Sequence, residues 1–209
     1  MLTALWRGAD RLSWGEKLGL SAGISIALYP LLLVWTHLVG LQLGSLYAWL
    51  PPLAALLFLL WHCRELRRAQ PVSRALGDWQ RSNNFLPDLV FLTLIGLTLL
   101  TRFWVIRSLD IPMWGDSYQH TMIAQLITDN GGLFDSWQPY AEIQSLTYHF
   151  GFHTAAAMFH WVSGMEMPQA VLWVGQILNA LAVIALYPLA VRVGGNRWAG
   201  VGAVLIAGL

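Results

Sequence analysis

Charge is what this chain has least of. Only 11% of its 209 residues are Asp, Glu, Lys or Arg, where a soluble domain carries roughly 25%. The formal net charge is +1, so no basic surface points to nucleic acid as a partner. There is one cysteine, Cys63, which excludes an intrachain disulfide and any Cys-rich metal site. Several catalytic signatures are missing too. His149 and His153 have the spacing of a zincin helix but no glutamate between them, and no GxSxG, SxxK or Walker loop occurs. No apolar segment carries a series of buried acids of the kind found in many proton-coupled transporters.

Apolar sequence fills the rest. Hydrophobic residues make up 56% of the chain, in runs long enough for lipid. Twelve tryptophans are present, and Trp14, Trp35, Trp49, Trp61, Trp104 and Trp198 fall near the ends of those runs. Indole is favoured there because its ring is apolar while its N–H still reaches water or headgroups. The composition defines an integral membrane protein. Its expected fold is all-α, a polytopic bundle of transmembrane helices with an extracytoplasmic loop that holds short helices.

The first expected span is 18–39, close to the ~20 residues needed to cross the hydrocarbon core. A Gly40–Gly44 turn leads to a second at 46–62, with Pro51 and Pro52 near its start. The segment 63–87 then carries Arg64, Arg67, Arg68, Arg74 and Arg81 against Glu65 and Asp78, a bias that assigns it to the cytoplasmic side. A third span, 88–106, crosses outward. Residues 150–164 are apolar but too short to cross comfortably, so they are expected to dip into the outer face or lie along it. Residues 169–191 form a full span, and Arg192 and Arg197 assign the following turn to the cytoplasm. A last helix begins near Trp198, and the chain reads as the N-terminal part of a longer protein.

That topology leaves 110–149 outside, with Asp110, Asp116, Asp129, Asp135 and Glu142 and no Lys or Arg. Asp116 and His120 are four apart, so both project from one face of a helix starting near Asp116. His149 and His153 repeat the interval, and His160 follows seven later. Carboxylate and imidazole together suit a divalent ion, with Asp116, His120, His149 and His153 as candidate ligands. The plainer alternatives are that Asp116 caps its helix and that the histidines bond to backbone. Asp129 and Asp135 stand beside N-G-G and F-D-S turns, where Asp is favoured for local hydrogen bonding alone. Arg102 and Arg107 end the third span on the outer side, against the usual bias, and call for an anionic partner such as Asp110 or a phosphate.

The order W-G-D-S-Y-x-x-H, N-G-G, P-Y and Y-H-F-G-F-H, a short apolar helix ending in S-G, then a span closing in L-A-V-R-V-G-G-N-R-W-A-G, resembles the GT-C glycosyltransferases. That superfamily includes the oligosaccharyltransferases and protein mannosyltransferases. The resemblance covers about residues 88–209, which makes 1–87 a two-span N-terminal addition. It implies transfer of a sugar from a polyprenyl-phosphate-linked donor on the outer face of a prokaryotic plasma membrane, with a divalent ion such as Mg or Mn. Asp116 matches the loop Asp of the family and is the expected catalytic carboxylate, as general base or metal ligand. Arg102 and Arg107 are candidates for the leaving phosphate, Trp114, Tyr118, Trp137 and Tyr140 for the sugar ring (interfacial packing being the alternative), and Glu142 for substrate binding, as a second ligand or base. The expected partners are the lipid-linked donor and membrane lipid. A transporter or binding protein with an acidic outer vestibule is the alternative reading, and a purely structural membrane subunit a third.

Overall fold

A computed structural model describes residues 12–61, 85–144 and 149–208. Among these the chain forms seven helices and no strand: α1 Trp14–Leu38, α2 Leu46–Trp61, α3 Phe85–Ile106, α4 Ser117–Asp129, α5 Gly151–Ser163, α6 Met167–Gly194 and α7 Arg197–Gly208. Three of them, α1, α3 and α6, are long and apolar enough to cross a membrane. Helix α2 has 16 residues, about 24 Å at the usual rise per residue and short of the ~30 Å hydrocarbon core. The second expected span is thus present as a shorter apolar helix, with His62 outside the described residues. The arginine-rich segment with Cys63 and residues 145–148 lie outside them as well.

The chain divides into two compact units. The first draws on Met1–Gly23, Leu53–Arg102 and Asn179–Leu209. Its core gathers Phe91 and Leu94 of α3, Val183, Ile184 and Tyr187 of α6, and Val201 and Val204 of α7. Small residues bring the helices close. A Cβ at Gly19 would come within 2.7 Å of the Ile184 carbonyl oxygen, and one at Gly200 within 2.7 Å of the Tyr187 ring, so only glycine allows these approaches. Helix α1 opens with a reciprocal cap. Ser13 N–H donates to Glu16 Oε2 at 2.8 Å while Glu16 N–H reaches Ser13 Oγ at 3.3 Å, satisfying amides that the first turn leaves free.

Two ion pairs tie the helix ends of this unit. Arg192 Nε donates to Glu16 Oε1 at 2.6 Å, and Arg197 Nη1 donates to Asp88 Oδ2 at 2.6 Å. Both acids are buried. Arg102, at the other end of α3, has its Nε buried without a hydrogen-bond partner among the described residues.

The second unit draws on Ile24–Pro52 and Phe103–Leu178. Helices α4 and α5 pack against each other. Ile123, Leu126 and Ile127 of α4 meet Ala157 and Met158 of α5, together with Leu33, Tyr47 and Phe134. A second cluster joins Ala124 and Ala156 to Met167, Ala170, Val171 and Val174. The turn after α1 is stitched to the end of α4, where Gly44 N–H donates to the Gly131 carbonyl at 2.9 Å. Both glycines have positive φ, +57° and +67°, which a side chain would disfavour. Tyr47, buried at the start of α2, donates to the Leu41 carbonyl and bonds Thr36 Oγ1.

Candidate functional site

Helix α4 starts at Ser117 because Gly115 turns the chain and Asp116 takes the N-cap position. Asp116 does not cap: its side chain makes no hydrogen bond to the first turn. It is largely exposed, with Oδ2 lying 3.8 Å from Nε2 of His120. The i, i+4 spacing therefore brings carboxylate and imidazole together on one face, as the sequence implied.

His120 also looks the other way. Its Nδ1 lies 2.9 Å from Nε2 of His153 on α5. The rings are tilted, 5.1 Å apart, and Phe152 closes edge-on against both. His153 is fully buried. Burial pushes it down to about 4, helped by the neighbouring His120 and His149 and opposed by a hydrogen bond with the His149 backbone. At neutral pH it is uncharged and carries a single N–H. In the tautomer that carries this N–H on Nδ1, towards the His149 backbone, Nε2 is an acceptor. His120 then donates from Nδ1 and presents Nε2 to Asp116. The result is a directional row, Asp116, His120, His153, with its polar end at the surface and its other end in the core.

Of the four expected metal ligands, Asp116 and His120 face each other. His153 sits on the opposite nitrogen of the His120 ring, and the His149 ring is 6.4 Å from that of His153. Among the described residues no group of three His, Cys, Asp or Glu side chains gathers into a metal-binding set. A divalent ion at Asp116 and His120 would take its remaining ligands from water, as Mg2+ commonly does. His160 is used locally, its Nδ1 2.7 Å from the Met165 carbonyl at the end of α5.

Beside Asp116 opens a cleft of about 330 Å3, lined by Trp114, Gly115, Ser117, Tyr118 and Thr121 with Ile111, Pro112 and Pro168. Trp114 and Tyr118 are exposed and form its aromatic surface. Pro168, from the start of α6, is a wall that no spacing in the sequence announced. Tyr140 and Glu142 are exposed on the loop after Trp137 and do not line this cleft. Arg107 lies over the Trp104 ring at 4.1 Å and donates to the Trp104 carbonyl. Among the described residues, neither Arg102 nor Arg107 forms an ion pair with Asp110. Asp129 accepts from Gln125 at 2.7 Å and Asp135 lies 3.4 Å from His37.

Comparison of the chain with family models, with curated proteins and with solved structures found no match.

Proposed function

We propose that this chain is an integral membrane glycosyltransferase of GT-C type. It moves a sugar from a polyprenyl-phosphate-linked donor to an acceptor on the extracytoplasmic face of a prokaryotic plasma membrane. One observation carries the reading: an aromatic cleft edged by Trp114 and Tyr118 adjoins a carboxylate backed by two histidines. Pyranose rings have apolar C–H faces that lie flat on aromatic surfaces, and pockets of this mixed kind orient a small polar ligand through few groups. Long apolar helices offer the lipid tail of the donor a matching environment.

In the reaction the bond from the sugar C1 to the phosphate oxygen breaks, and a bond from C1 to the acceptor oxygen forms. The bonding pair leaves with the lipid phosphate, and the acceptor proton passes to Asp116 as general base. His120 presents its unprotonated Nε2 3.8 Å from Asp116 and can take over the proton that the carboxylate accepts. Arg107 is the cation of this unit available to the leaving phosphate. A divalent ion held by Asp116 and His120 would offset charge on that phosphate when bound.

The test compares Asp116→Asn with Asp129→Asn and Asp135→Asn in one lipid-linked sugar transfer assay at matched membrane abundance. Loss of a general base commonly costs about two to four orders of magnitude in rate. We expect that loss for Asp116→Asn alone. Near wild-type transfer by Asp116→Asn would refute the assignment.

A further inference from the structure

The first unit holds a second cleft, of about 500 Å3, lined by Ser13, Glu16, Arg192, Asn196 and Arg197. It lies where α1 and α7 begin and α6 ends, so it opens at the end of the apolar spans, the level at which lipid phosphates are found. The glycosyltransfer chemistry makes no use of it.

Its charges are arranged unevenly. The acid side chains are inside, Glu16 5% and Asp88 0% exposed, while the guanidinium groups are further out, Arg192 57% and Arg197 23%. Glu16 is saturated by the chain itself: Oε1 accepts from Arg192, and Oε2 accepts from both the amide and the hydroxyl of Ser13. Asn196 is occupied likewise, capping Ala199 N–H with Oδ1 and donating to the Gly194 carbonyl. Among the described residues each arginine, by contrast, gives a single N–H to its acid, Nε in Arg192 and Nη1 in Arg197. The rest of each planar fork remains beside the cleft, and such forks match the oxygens of phosphate in pairs. The four charges cancel in sum, so a simple halide gains little. An oxyanion that can take several N–H donors at once gains most.

We propose that this cleft binds a phosphate group, carried either by the headgroup of an anionic lipid or by a soluble phosphate. The buried acids orient the two guanidinium groups from behind, and the ligand completes their hydrogen bonding from the front. Arginine groups presented between membrane helices at headgroup level can recognise phospholipid headgroups in this way.

Phenylglyoxal modification of Arg192, read by peptide mass spectrometry on the purified protein in detergent, tests the idea without altering the fold. The additions are phosphatidylglycerol, phosphatidylcholine and inorganic phosphate. We expect phosphatidylglycerol to slow modification at least tenfold and phosphatidylcholine to leave it unchanged. Protection by phosphatidylglycerol but not by inorganic phosphate identifies a lipid headgroup. Equal protection by inorganic phosphate identifies a soluble ligand. Absence of protection by either, or equal protection by phosphatidylcholine, overturns the proposal. Arg192→Gln should abolish the thermal stabilisation that the protecting ligand gives; stabilisation that persists in this variant also overturns it. If Arg192→Gln does not fold, the modification experiment decides alone.

Discussion

Acidification should loosen the α4–α5 pair through one residue, His153. In the folded chain it is held down to about 4 by burial and by the neighbouring histidines, against about 6.5 in an unfolded chain. Between those values the unfolded chain binds more protons, so stability falls as pH falls. The contribution is fully present above pH 6.5 and is lost progressively as pH drops through 4. The difference amounts to about 2–3 kcal/mol between pH 7 and pH 4. Other groups titrate in the same window, so the comparison is with His153→Gln. Glutamine retains a polar contact for His120 but cannot take up the proton. Unfolding by SDS in mixed micelles, followed by tryptophan fluorescence, gives stability at each pH for both proteins. The variant should be less stable at pH 7, and the gap should close by about 2–3 kcal/mol towards pH 4. Parallel pH curves for the two proteins would refute the reasoning, because the titration would then belong to some other group.

Asp88→Asn should cost about 3–5 kcal/mol, since it strands the Arg197 guanidinium at a buried contact; the same SDS titration measures it. Gly19→Val should destabilise by at least about 1–3 kcal/mol, because its Cβ would meet Pro188 at 2.6 Å and the Ile184 carbonyl at 2.7 Å. Gly23→Ala, whose Cβ would have nothing nearer than 3.9 Å, serves as the tolerant control. For topology, a cysteine at Asn130 in a Cys63→Ser background should react with an impermeant maleimide added outside cells, and one at Ser73 should not. The reverse pattern would move the Asp116 site to the cytoplasm and sink the proposed reaction.

Helix positions were readable because apolar runs end where glycine, proline or charge interrupts them. Residues 150–164 were expected as one short helix and form Gly151–Ser163. Residues 88–106 and 169–191 form Phe85–Ile106 and Met167–Gly194, each extended past a proline, Pro87 and Pro168, that sits in the first turn where its missing N–H costs nothing. Spacing also put Asp116 and His120 on one face. Pairings across long separations were not readable, because helical periodicity says which residues share a face and nothing of which face they meet. His120 and His153 are 33 positions apart. The paired arginines are Arg192 and Arg197, whose positions served in the sequence only to orient a turn. The unusual placement of Arg102 and Arg107 drew attention to the opposite end of α3. An acid in the first turn of an apolar helix, as at Glu16 and Asp88, was the available signal for a buried partner.

The Asp88–Arg197 pair also sets a clock for biogenesis. Its members are 109 positions apart, and those of Glu16–Arg192 are 176 apart. At about 5–20 residues per second, a ribosome takes about 5–20 s from Asp88 to Arg197. Throughout that interval α3 exists without Arg197, the cation that Asp88 meets in the folded chain. Its carboxylate has to stay at the water boundary or be sheltered by the insertion machinery until Arg197 arrives. The first unit therefore closes late, and chains stalled before Arg192 should be those that quality-control proteases recognise and remove.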